Sequence, residues 1–565
     1  MDNDVAAWLQ RDPDPKTRAE LRELLESGQH ADIEARFRGR LSFGTAGLRG
    51  IVGAGPARMN RLVVRETTAG LGAYLAQTVA RADARGVVVG FDGRPDSALF
   101  ASDAAAVLTA MGFRVYQFEH LCPTPLCAFA VQHLDAAAGI MITASHNPPE
   151  YNGYKVYWEN GAQIVPPHDQ GIARAIEHAA SQPVPWTETP AVEPVGEAVR
   201  QAYLRGIAEL SIHPPGGRDA VVIAYTPLHG VGAELAETAL ARAGFQHVHT
   251  VAAQREPDGS FPTVRFPNPE EPGAMDAVVE LGRQCGADLV FANDPDADRL
   301  AVAVRADGDY RVLTGNEIGV LLGWDRLQPA PRRSVVATTI VSSRLLQRIA
   351  NAWGASYFET LTGFKWIAHG AIEHRQAHPE QHFVFGYEEA LGYTIGELVR
   401  DKDGISALVA FAQMAAALRQ RGRSVLDQLE SIYRTYGLHL TAQKSLALDP
   451  AAPGPLPTER LRTQPPDRVA GRSVTEMTDV QTGVRRQADG TTTPTQLPAS
   501  DVLIFCLEDD SRVIVRPSGT EPKLKCYYEL HVSLGADEDM SSARTRGETA
   551  LEALIAAHQR ELAAL

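Results

Sequence analysis

Residues 143–152 read Thr143-Ala144-Ser145-His146-Asn147-Pro148-Pro149-Glu150-Tyr151-Asn152. The five residues before them, 138–142, are apolar and predict a buried strand. Ser145 should therefore lie at the carboxyl end of a strand, where open α/β sheets bind ligands. A hydroxyl placed there can carry a covalent group between two half-reactions, and Lys155 could face an anion held by the serine. The same ten residues are also typical of an ordinary turn.

A second cluster, of three aspartates, favours a functional interpretation. Asp294, Asp296 and Asp298 occupy alternate positions after the predicted strand 287–292. Carboxylate oxygens are ligands suited to Mg²⁺, and crowded carboxylates need a cation or basic side chains to balance them. The loop lacks the glycine and the glutamate that an EF-hand requires. It predicts a metal site, with a solvated acidic loop as the alternative.

These two motifs occur together with two others in a fixed order along the chain. The others are the glycine-rich run 44–50 near the start and Arg516-Pro517-Ser518-Gly519-Thr520-Glu521-Pro522 near the end. With all four motifs, the chain after its first forty residues resembles the α-D-phosphohexomutases, the superfamily of phosphoglucomutases and phosphomannomutases. It looks most like the longer branch, which includes bacterial phosphoglucomutases and phosphopentomutases.

The resemblance implies an α/β fold with the four-domain phosphohexomutase architecture: three similar α/β domains and a smaller α+β C-terminal domain around a central cleft. Apolar runs followed by polar loops and helical patterns recur along the chain, which is typical of βαβ units. The predicted divisions are a helical N-terminal extension at 1–40 and domains at 41–205, 206–312, 313–435 and 436–565. Six prolines between 449 and 466 predict a linker or surface excursion into the last domain.

Composition restricts the class of protein. A chain of 565 residues predicts several domains. A net charge of −15 argues against nucleic acid or an anionic membrane as partner, but a small sugar phosphate remains compatible. The longest apolar stretch, 405–418, is too short to span a bilayer. Five cysteines without a C-x-x-C pair and an acidic N-terminus favour a cytoplasmic protein without disulfides, zinc or a secretory signal.

Residues 386–392 resemble the sugar-reading loop of the family. Glu388 takes the position of a glutamate that contacts the sugar, whereas Ala390 replaces the usual serine, removes one hydroxyl contact and puts hexose specificity in doubt. A carboxylate that accepts hydrogen bonds from sugar hydroxyls discriminates strongly between substrates. The alternative is a helix N-terminus with favourable acidic residues. Lys402 lies in a second matching loop, where the resemblance places it facing the reaction centre.

Two further loops are candidates for substrate binding. Thr362, Gly363 and Lys365 resemble the domain-three loop, where Lys365 could meet substrate or be a surface lysine. A predicted strand at 513–515 precedes a loop that the resemblance assigns to the phosphate not being transferred. Its candidate phosphate-binding residues are Arg516, Ser518, Gly519, Thr520 and Lys523. Guanidinium, hydroxyl and backbone N–H groups suit phosphate oxygens, although most isolated turns of this type bind nothing.

The resemblance implies a phosphoglucomutase reaction that interconverts glucose 1-phosphate and glucose 6-phosphate through phospho-Ser145 and glucose 1,6-bisphosphate. Mg²⁺ would be held by the three aspartates and an oxygen on Ser145. The candidates for stabilising the transferring group are Arg49, Lys155 and Arg299, and those for proton transfer are His146, Lys155 and Lys402. Phosphopentomutase and phosphomannomutase activities are the alternatives within the family. A phosphatase and a non-catalytic sensor are the alternatives outside mutase chemistry.

Overall fold

The computed structural model describes residues 2–448, 455–518, 523–535 and 537–564. Gly519 and Thr520 of the predicted phosphate loop lie outside the described residues, as do residues 449–454 of the predicted linker. The chain divides into two compact units. The first comprises Met1–Ile318 and Phe364–Gly422, and the second comprises Gly319–Gly363 and Arg423–Leu565.

The first unit begins with a six-stranded mixed sheet and its helices. In chain order the elements are α1 (Asp2–Arg11), α2 (Pro15–Glu26), α3 (His30–Phe37), β1 (Leu48–Ile51), α4 (Arg61–Thr78), α5 (Ala82–Arg85), β2 (Val87–Phe91), α6 (Ser97–Ala110), β3 (Val115–Phe118), α7 (Thr124–His133), β4 (Ala138–Ile142), β5 (Tyr151–Trp158), α8 (His168–Ala180) and β6 (Glu193–Val195). The strand order is β1-β5-β4-β2-β3-β6, with β5 antiparallel to both of its neighbours and the other pairs parallel. Every residue of β2 and β4 is buried, as expected for central parallel strands covered on both faces.

The N-terminal helices belong to the core of this first sheet. Val5, Trp8, Leu21 and Ile33 are buried in the same apolar cluster as side chains from β2 and β4. Asp14 caps the N-terminus of α2, because its side chain accepts a hydrogen bond from the N–H of Lys16 in the first turn of the helix. The extension is thus helical and is packed into the first sheet and its helices.

A five-stranded mixed sheet follows in the first unit. Its elements are α9 (Glu197–Glu209), β7 (Val222–Thr226), α10 (Ala233–Arg242), β8 (His247–Thr250), α11 (Ala252–Arg255), α12 (Asp276–Cys285), β9 (Leu289–Ala292), β10 (Ala301–Ala306) and β11 (Asp309–Val312). The strand order is β11-β10-β9-β7-β8. Strand β7 is parallel to β8 and β9, whereas β10 is antiparallel to β9 and β11. Residues 293–300, which contain Asp294, Asp296 and Asp298 and are called the acidic loop, therefore join the buried central strand β9 to its antiparallel neighbour β10.

The first unit also contains a hairpin and two long helices. These elements are α15 (Phe364–Ala377), β14 (His382–Glu388), β15 (Gly392–Ile395) and α16 (Gly404–Gln420). The Asp403 side chain caps α16 by accepting from the N–H groups of Ile405 and Ser406. Helix α16 is buried along most of its length, so the apolar run 405–418 is a core helix. Among the described residues, no helix has the length and apolarity needed to cross a bilayer.

The second unit combines a parallel strand pair with an antiparallel sheet. Its remaining elements are α13 (Gly315–Leu327, which begins at the end of the first unit), a 3₁₀ turn (Pro331–Arg333), β12 (Ser334–Thr339), α14 (Leu345–Trp353), β13 (Ser356–Thr360), α17 (Val425–Tyr436), β16 (Leu438–Ala447), α18 (Pro457–Thr463), β17 (Arg468–Val469), β18 (Arg472–Asp479), β19 (Val484–Gln487), β20 (Thr492–Pro494), β21 (Leu503–Leu507), β22 (Arg512–Pro517), β23 (Lys523–Val532) and α19 (Met540–Ala563). Strands β12 and β13 are parallel. The antiparallel sheet has the order β16-β23-β22-β21-β18-β19-β20, and β17 pairs with β18.

Part of the segment 449–466, predicted as a linker or surface excursion, forms the helix α18. Pro457 starts this helix, where a missing N–H is tolerated because the first helical N–H groups have no partner within the helix. Arg462 of α18 donates hydrogen bonds to Asp479 and Asp501 at 2.7–3.1 Å. Here proline delimits a short helix and does not mark an unstructured connection.

Candidate active site

Ser145 lies in the turn that joins β4 to β5, as predicted. Its φ of +51° is a left-handed conformation that is uncommon for a residue other than glycine. Its N–H donates to Thr143 Oγ1 at 2.8 Å, and only 3% of the residue is exposed. The Oγ donates to Asp294 Oδ2 at 2.7 Å and lies 3.3 Å from His146 Nδ1. The turn therefore aims the serine hydroxyl at the acidic loop.

A buried arginine, Arg94, holds this turn in shape. One terminal nitrogen donates to the carbonyl oxygens of Pro148 and Tyr151 at 2.8 and 3.0 Å. The other donates to those of Ser145 and Asn147, both at 2.6 Å. Guanidinium offers five N–H donors in a rigid fork, so one side chain satisfies three carbonyls of the serine turn (residues 143–150) and the carbonyl of Tyr151, the first residue of β5.

The three aspartates of the acidic loop converge, as the sequence predicts. Asp294, Asp296 and Asp298 are buried, and one carboxylate oxygen from each lies within 4.8 Å of the others. Asp296 Oδ1 and Asp298 Oδ1 are buried without a hydrogen-bond partner in the described part of the chain. Buried anionic oxygens without donors are costly, so this donor set fits a bound cation of the oxygen-preferring type.

Three basic side chains surround the acidic loop. Lys155 Nζ donates to Asp296 Oδ2 at 2.7 Å and to Asp298 Oδ2 at 3.0 Å. Lys402 Nζ lies 3.3 Å from Asp298 Oδ2, and Arg299 Nε lies 3.8 Å from Asp298 Oδ1. Lys155 thus contacts the acidic loop directly, which adds to its predicted role of facing an anion on the serine.

The carboxyl groups of Asp294 and Asp296 differ strongly in pKa. Burial, with Asp296 and Asp298 nearby, raises the pKa of Asp294 well above its ordinary value. Burial also acts to raise the pKa of Asp296, but Lys155 and the hydrogen bonds to this carboxylate outweigh it and hold that pKa below its ordinary value. Burial acts to lower the pKa of Lys155, and the two carboxylates it contacts raise it instead. The ion pairs between Lys155 and the loop are therefore mutually reinforcing.

Two other predicted residues are His146, within the serine turn, and Arg49, beside it. His146 Nδ1 is 3.9 Å from Asp294 Oδ2, and burial together with Arg299 and Arg49 holds the pKa of His146 well below its ordinary value. Arg49 on β1 donates to the Asn147 side chain at 2.8 Å and is otherwise exposed. These contacts place an imidazole within the serine turn and a guanidinium beside it.

The predicted sugar-contacting loop packs directly on the acidic loop. The Arg299 guanidinium donates to the carbonyl oxygen of Ala390. The Leu300 N–H donates to the Leu391 carbonyl at 3.1 Å, and Arg299 forms an isolated antiparallel bridge with Gly392. The substitution of alanine for serine at position 390 therefore lies next to the basic end of the acidic loop.

The side chains of Glu388 and Lys402 meet across Gly392. A Cβ at Gly392 would lie 2.5 Å from Lys402 Cδ and 2.9 Å from Glu388 Cγ, so only glycine allows both side chains this approach. Glu388 is buried at the end of β14. Lys365 is half-buried, and burial lowers its pKa. The first unit thus brings Glu388 and Lys402 together beside the acidic loop.

The remaining predicted residues belong to the second unit. Thr362 Oγ1 and Arg516 Nε are buried without a hydrogen-bond partner among the described residues, and Gly363 has a φ of +113°. The Ser518 N–H donates to the Lys523 carbonyl at 2.7 Å, which closes the described ends of the phosphate loop.

Sequence reasoning missed two residues of the first unit, Arg94 and Thr124. Thr124 Oγ1 donates to Asp296 Oδ2 at 2.6 Å, and its N–H donates to the Asp296 carbonyl at 2.9 Å. Both residues follow parallel strands, β2 and β3, whose carboxyl ends lie at the same edge of the sheet as that of β4. The signal in the sequence that could have identified them is a polar residue just after a predicted parallel strand, because ligands bind at the carboxyl ends of such strands.

Family models account for most of the chain. The phosphoglucomutase/phosphomannomutase models match α/β/α domain I at residues 40–183, domain II at 201–308, domain III at 314–436 and the C-terminal domain at 494–540. The chain belongs to the phosphoglucomutase/phosphomannomutase family. The predicted architecture of three α/β domains and a C-terminal domain is confirmed, and the protein is a mutase of the phosphohexomutase type.

Relatives of this family member carry different substrate names. The chain is 38% identical over 548 residues to a probable phosphoribomutase of Schizosaccharomyces pombe, covering 93% of this chain and 92% of the relative. It is 40% identical over 492 residues to a probable phosphomannomutase of Haemophilus influenzae, covering 85% and 95%. The fold matches the crystal structure of a putative phosphomannomutase from Thermus thermophilus with a TM-score of 0.68 and 23% identity, covering 91% of this chain and 98% of that one.

Proposed function

We propose that this family member moves a phosphoryl group between two oxygens of a sugar phosphate through a phosphorylated Ser145, with glucose 1-phosphate and glucose 6-phosphate as its substrate pair. The observation that carries the proposal is the 2.7 Å hydrogen bond from Ser145 Oγ to Asp294. It joins a strand-end hydroxyl to a cluster of three carboxylates. A serine in that place can act as a covalent carrier.

The carrier solves a geometric problem, because the two oxygens of the sugar are too far apart for direct transfer. Phospho-Ser145 gives its phosphoryl group to the free hydroxyl: the serine O–P bond breaks and a sugar O–P bond forms. The product is glucose 1,6-bisphosphate, which turns round and returns its other phosphate to Ser145.

The sugar hydroxyl gives up its proton as its oxygen bonds to phosphorus, and the serine oxygen takes up a proton as its own bond to phosphorus breaks. His146 is the candidate that supplies the proton to the serine oxygen, because its Nδ1 lies 3.3 Å from that oxygen. Lys155 and Lys402 are the other candidates for proton transfer, at the sugar hydroxyl.

Asp294, Asp296 and Asp298 would hold Mg²⁺ together with an oxygen on Ser145. When bound, Mg²⁺ would offset charge on the transferring group. In phosphoryl transfer, positioning and electrostatics do most of the catalysis. Lys155 supports that positioning, since its ammonium ties two of the three carboxylates together.

Other residues have roles in binding the substrate. Arg49 and Arg299 are candidates to stabilise the transferring phosphoryl group, and Glu388 is a candidate to bind the sugar. Lys365 and Ala390 would line the sugar site, and Thr362 and Gly363 are separate candidates to bind substrate. The phosphate that is not transferred would be held by Arg516, Ser518, Gly519, Thr520 and Lys523.

Pentose 1-phosphate is the second candidate substrate. Two observations favour it: the S. pombe relative is named as a phosphoribomutase, and Ala390 lacks the hydroxyl that the family's usual serine would offer a hexose. Comparing kcat/KM for the 1-phosphates of glucose, ribose and mannose, with glucose 1,6-bisphosphate as activator, decides between them. Ala390→Ser should raise the ratio of kcat/KM for glucose 1-phosphate to that for ribose 1-phosphate by up to about tenfold, which corresponds to the contribution of one hydrogen bond.

Ser145 provides the test of the reaction itself. The isolated protein should carry a phosphate on Ser145 in part of its molecules, seen as a mass increment on that peptide. Ser145→Ala should lower mutase turnover by roughly three decades or more, because the variant has no hydroxyl at this position to carry the phosphoryl group. The matched control, Ser260→Ala, removes another loop serine that hydrogen-bonds to an aspartate and should keep parental activity.

Three outcomes would contradict this proposal. Ser145→Ala turnover within a few-fold of the parent would exclude the phosphoserine carrier. Release of free phosphate from glucose 1-phosphate in place of an isomer would indicate a phosphatase. No change in any of the sugar phosphates tested would indicate a sensor.

A further inference from the structure

We propose that Thr124 is a positioning residue of the metal site, an inference that rests on the proposed Mg²⁺ role of the acidic loop. Thr124 begins α7 and is fully buried. It donates twice to Asp296, from Oγ1 to Oδ2 at 2.6 Å and from N–H to the backbone carbonyl at 2.9 Å. One residue beside the first sheet thus holds both the backbone and the side chain of an aspartate 172 positions away.

The two oxygens of the Asp296 carboxylate have different surroundings. Oδ2 receives the Thr124 hydroxyl at 2.6 Å and Lys155 Nζ at 2.7 Å. Oδ1 is buried and accepts no hydrogen bond from the described residues. Two donors on one oxygen fix the rotation of the carboxylate, so its unpartnered oxygen is kept for a cation.

Thr124 is better suited than Lys155 to set this rotation. The ammonium of Lys155 is shared between Asp296 and Asp298 and ends a flexible stem. The threonine hydroxyl contacts only Asp296 of the acidic loop and stands on a β-branched side chain with few rotamers. Without that hydroxyl, either oxygen of Asp296 could turn to Lys155, and the metal site would lose its pre-organisation.

The test measures Mg²⁺ binding directly, without relying on turnover. Thr124→Val removes the hydroxyl but keeps the N–H and the branched shape, whereas Thr124→Ser keeps the hydroxyl. By isothermal titration calorimetry of the full chain with MgCl₂, Thr124→Val should bind roughly 10–100-fold more weakly than the parent, as for other residues that orient metal ligands. Thr124→Ser should stay within about threefold of the parent.

A matched control is available at another buried threonine. Thr17 Oγ1 donates to Asp12 Oδ2 at 2.7 Å, and both residues are buried. Thr17→Val therefore removes a similar hydrogen bond that does not touch the acidic loop, and should leave Mg²⁺ affinity unchanged.

Two outcomes would overturn the inference: parental Mg²⁺ affinity in Thr124→Val, or binding in Thr124→Ser as weak as in Thr124→Val. Absence of Mg²⁺ binding by the parent would instead overturn the metal site of the proposed function. If Thr124→Val does not fold, Thr124→Ala takes its place and is judged against Thr124→Ser by the same criterion.

Discussion

At the scale of single residues, Arg94 shows how one buried cation shapes the serine turn. Three backbone carbonyls of the turn and that of Tyr151 at the start of β5 accept from its two terminal nitrogens. Asp92 lies 3.4 Å from its Nε, and the ring of Phe261 lies 5.0 Å from its central carbon. The left-handed conformation of Ser145 is held by contacts of this kind, because the local sequence alone does not favour it.

Arg94→Lys is expected to damage both stability and turnover. A lysine carries three donors on one atom and cannot serve four carbonyls arranged around a planar fork. We expect a loss of about 2–4 kcal/mol in the free energy of unfolding, measured in urea. A fall in mutase kcat of roughly tenfold or more should accompany it, since small displacements at a reacting group are costly.

The control for this prediction is Arg38→Lys. Arg38 is exposed and pairs with Glu34 at the surface, where such pairs contribute little. Its variant should stay within about 0.5 kcal/mol of the parent. Arg94→Lys with parental stability and parental kcat would show that the four contacts do not shape the turn.

At the scale of elements, the C-terminal helix α19 is held on β23 by a buried polar contact. His558 Nδ1 lies 2.9 Å from the Tyr528 hydroxyl, and the Gln559 side chain donates to the same hydroxyl at 3.0 Å. Burial lowers the pKa of His558 to about 4. The helix therefore packs with a neutral imidazole.

This contact predicts a pH dependence of stability. Below pH 6.5 the unfolded chain protonates His558, whereas the folded chain does so only near pH 4. Stability should therefore fall as pH decreases through this window, by up to about 3 kcal/mol. His558→Gln should lose less stability than the parent between pH 6.5 and 4. The measurement is the change in urea midpoint over this pH range, which should be smaller in the variant than in the parent. The exposed His382→Gln is the control, and an equal flattening there would contradict the prediction.

At the scale of the whole molecule, the metal site proposed for the acidic loop would couple folding to metal binding. Its three buried carboxylates face Lys155, Lys402 and Arg299. A cation that binds only the folded chain stabilises it by mass action. The stability of the protein should therefore depend on the concentration of Mg²⁺.

Mg²⁺ at about a hundred times its Kd should stabilise the parent by about 2.7 kcal/mol. Calorimetric melting with MgCl₂ and with chelator measures the effect. Asp296→Asn should lose this response, because one of the three charged ligands becomes neutral. Asp135→Asn, at an exposed aspartate, should keep it. A parental Mg²⁺ response in Asp296→Asn would contradict the assignment of the three aspartates as ligands.

Local patterns in the sequence were sufficient to predict the strands and loops of the site. The apolar runs at 138–142 and 287–292 predicted strands that the structure has as β4 and β9. Alternate aspartates after one strand and a serine after the other identified the two loops. Each of these features depends on neighbouring residues, which is why periodicity and turn chemistry reveal them.

Only the tertiary structure shows which distant residues meet. Thr124 and Asp296 are hydrogen-bonded, although 172 positions separate them, and no local pattern links them. The N-terminal helices join the first core, and Pro457, within the segment predicted as a linker or surface excursion, begins the helix α18. Local sequence patterns are enough to predict the elements and the chemistry of the loops, because both follow from neighbouring side chains. The hydrogen bonds of the individual carboxylate oxygens in the acidic loop are visible only in the packed structure, because they depend on contacts between distant parts of the chain.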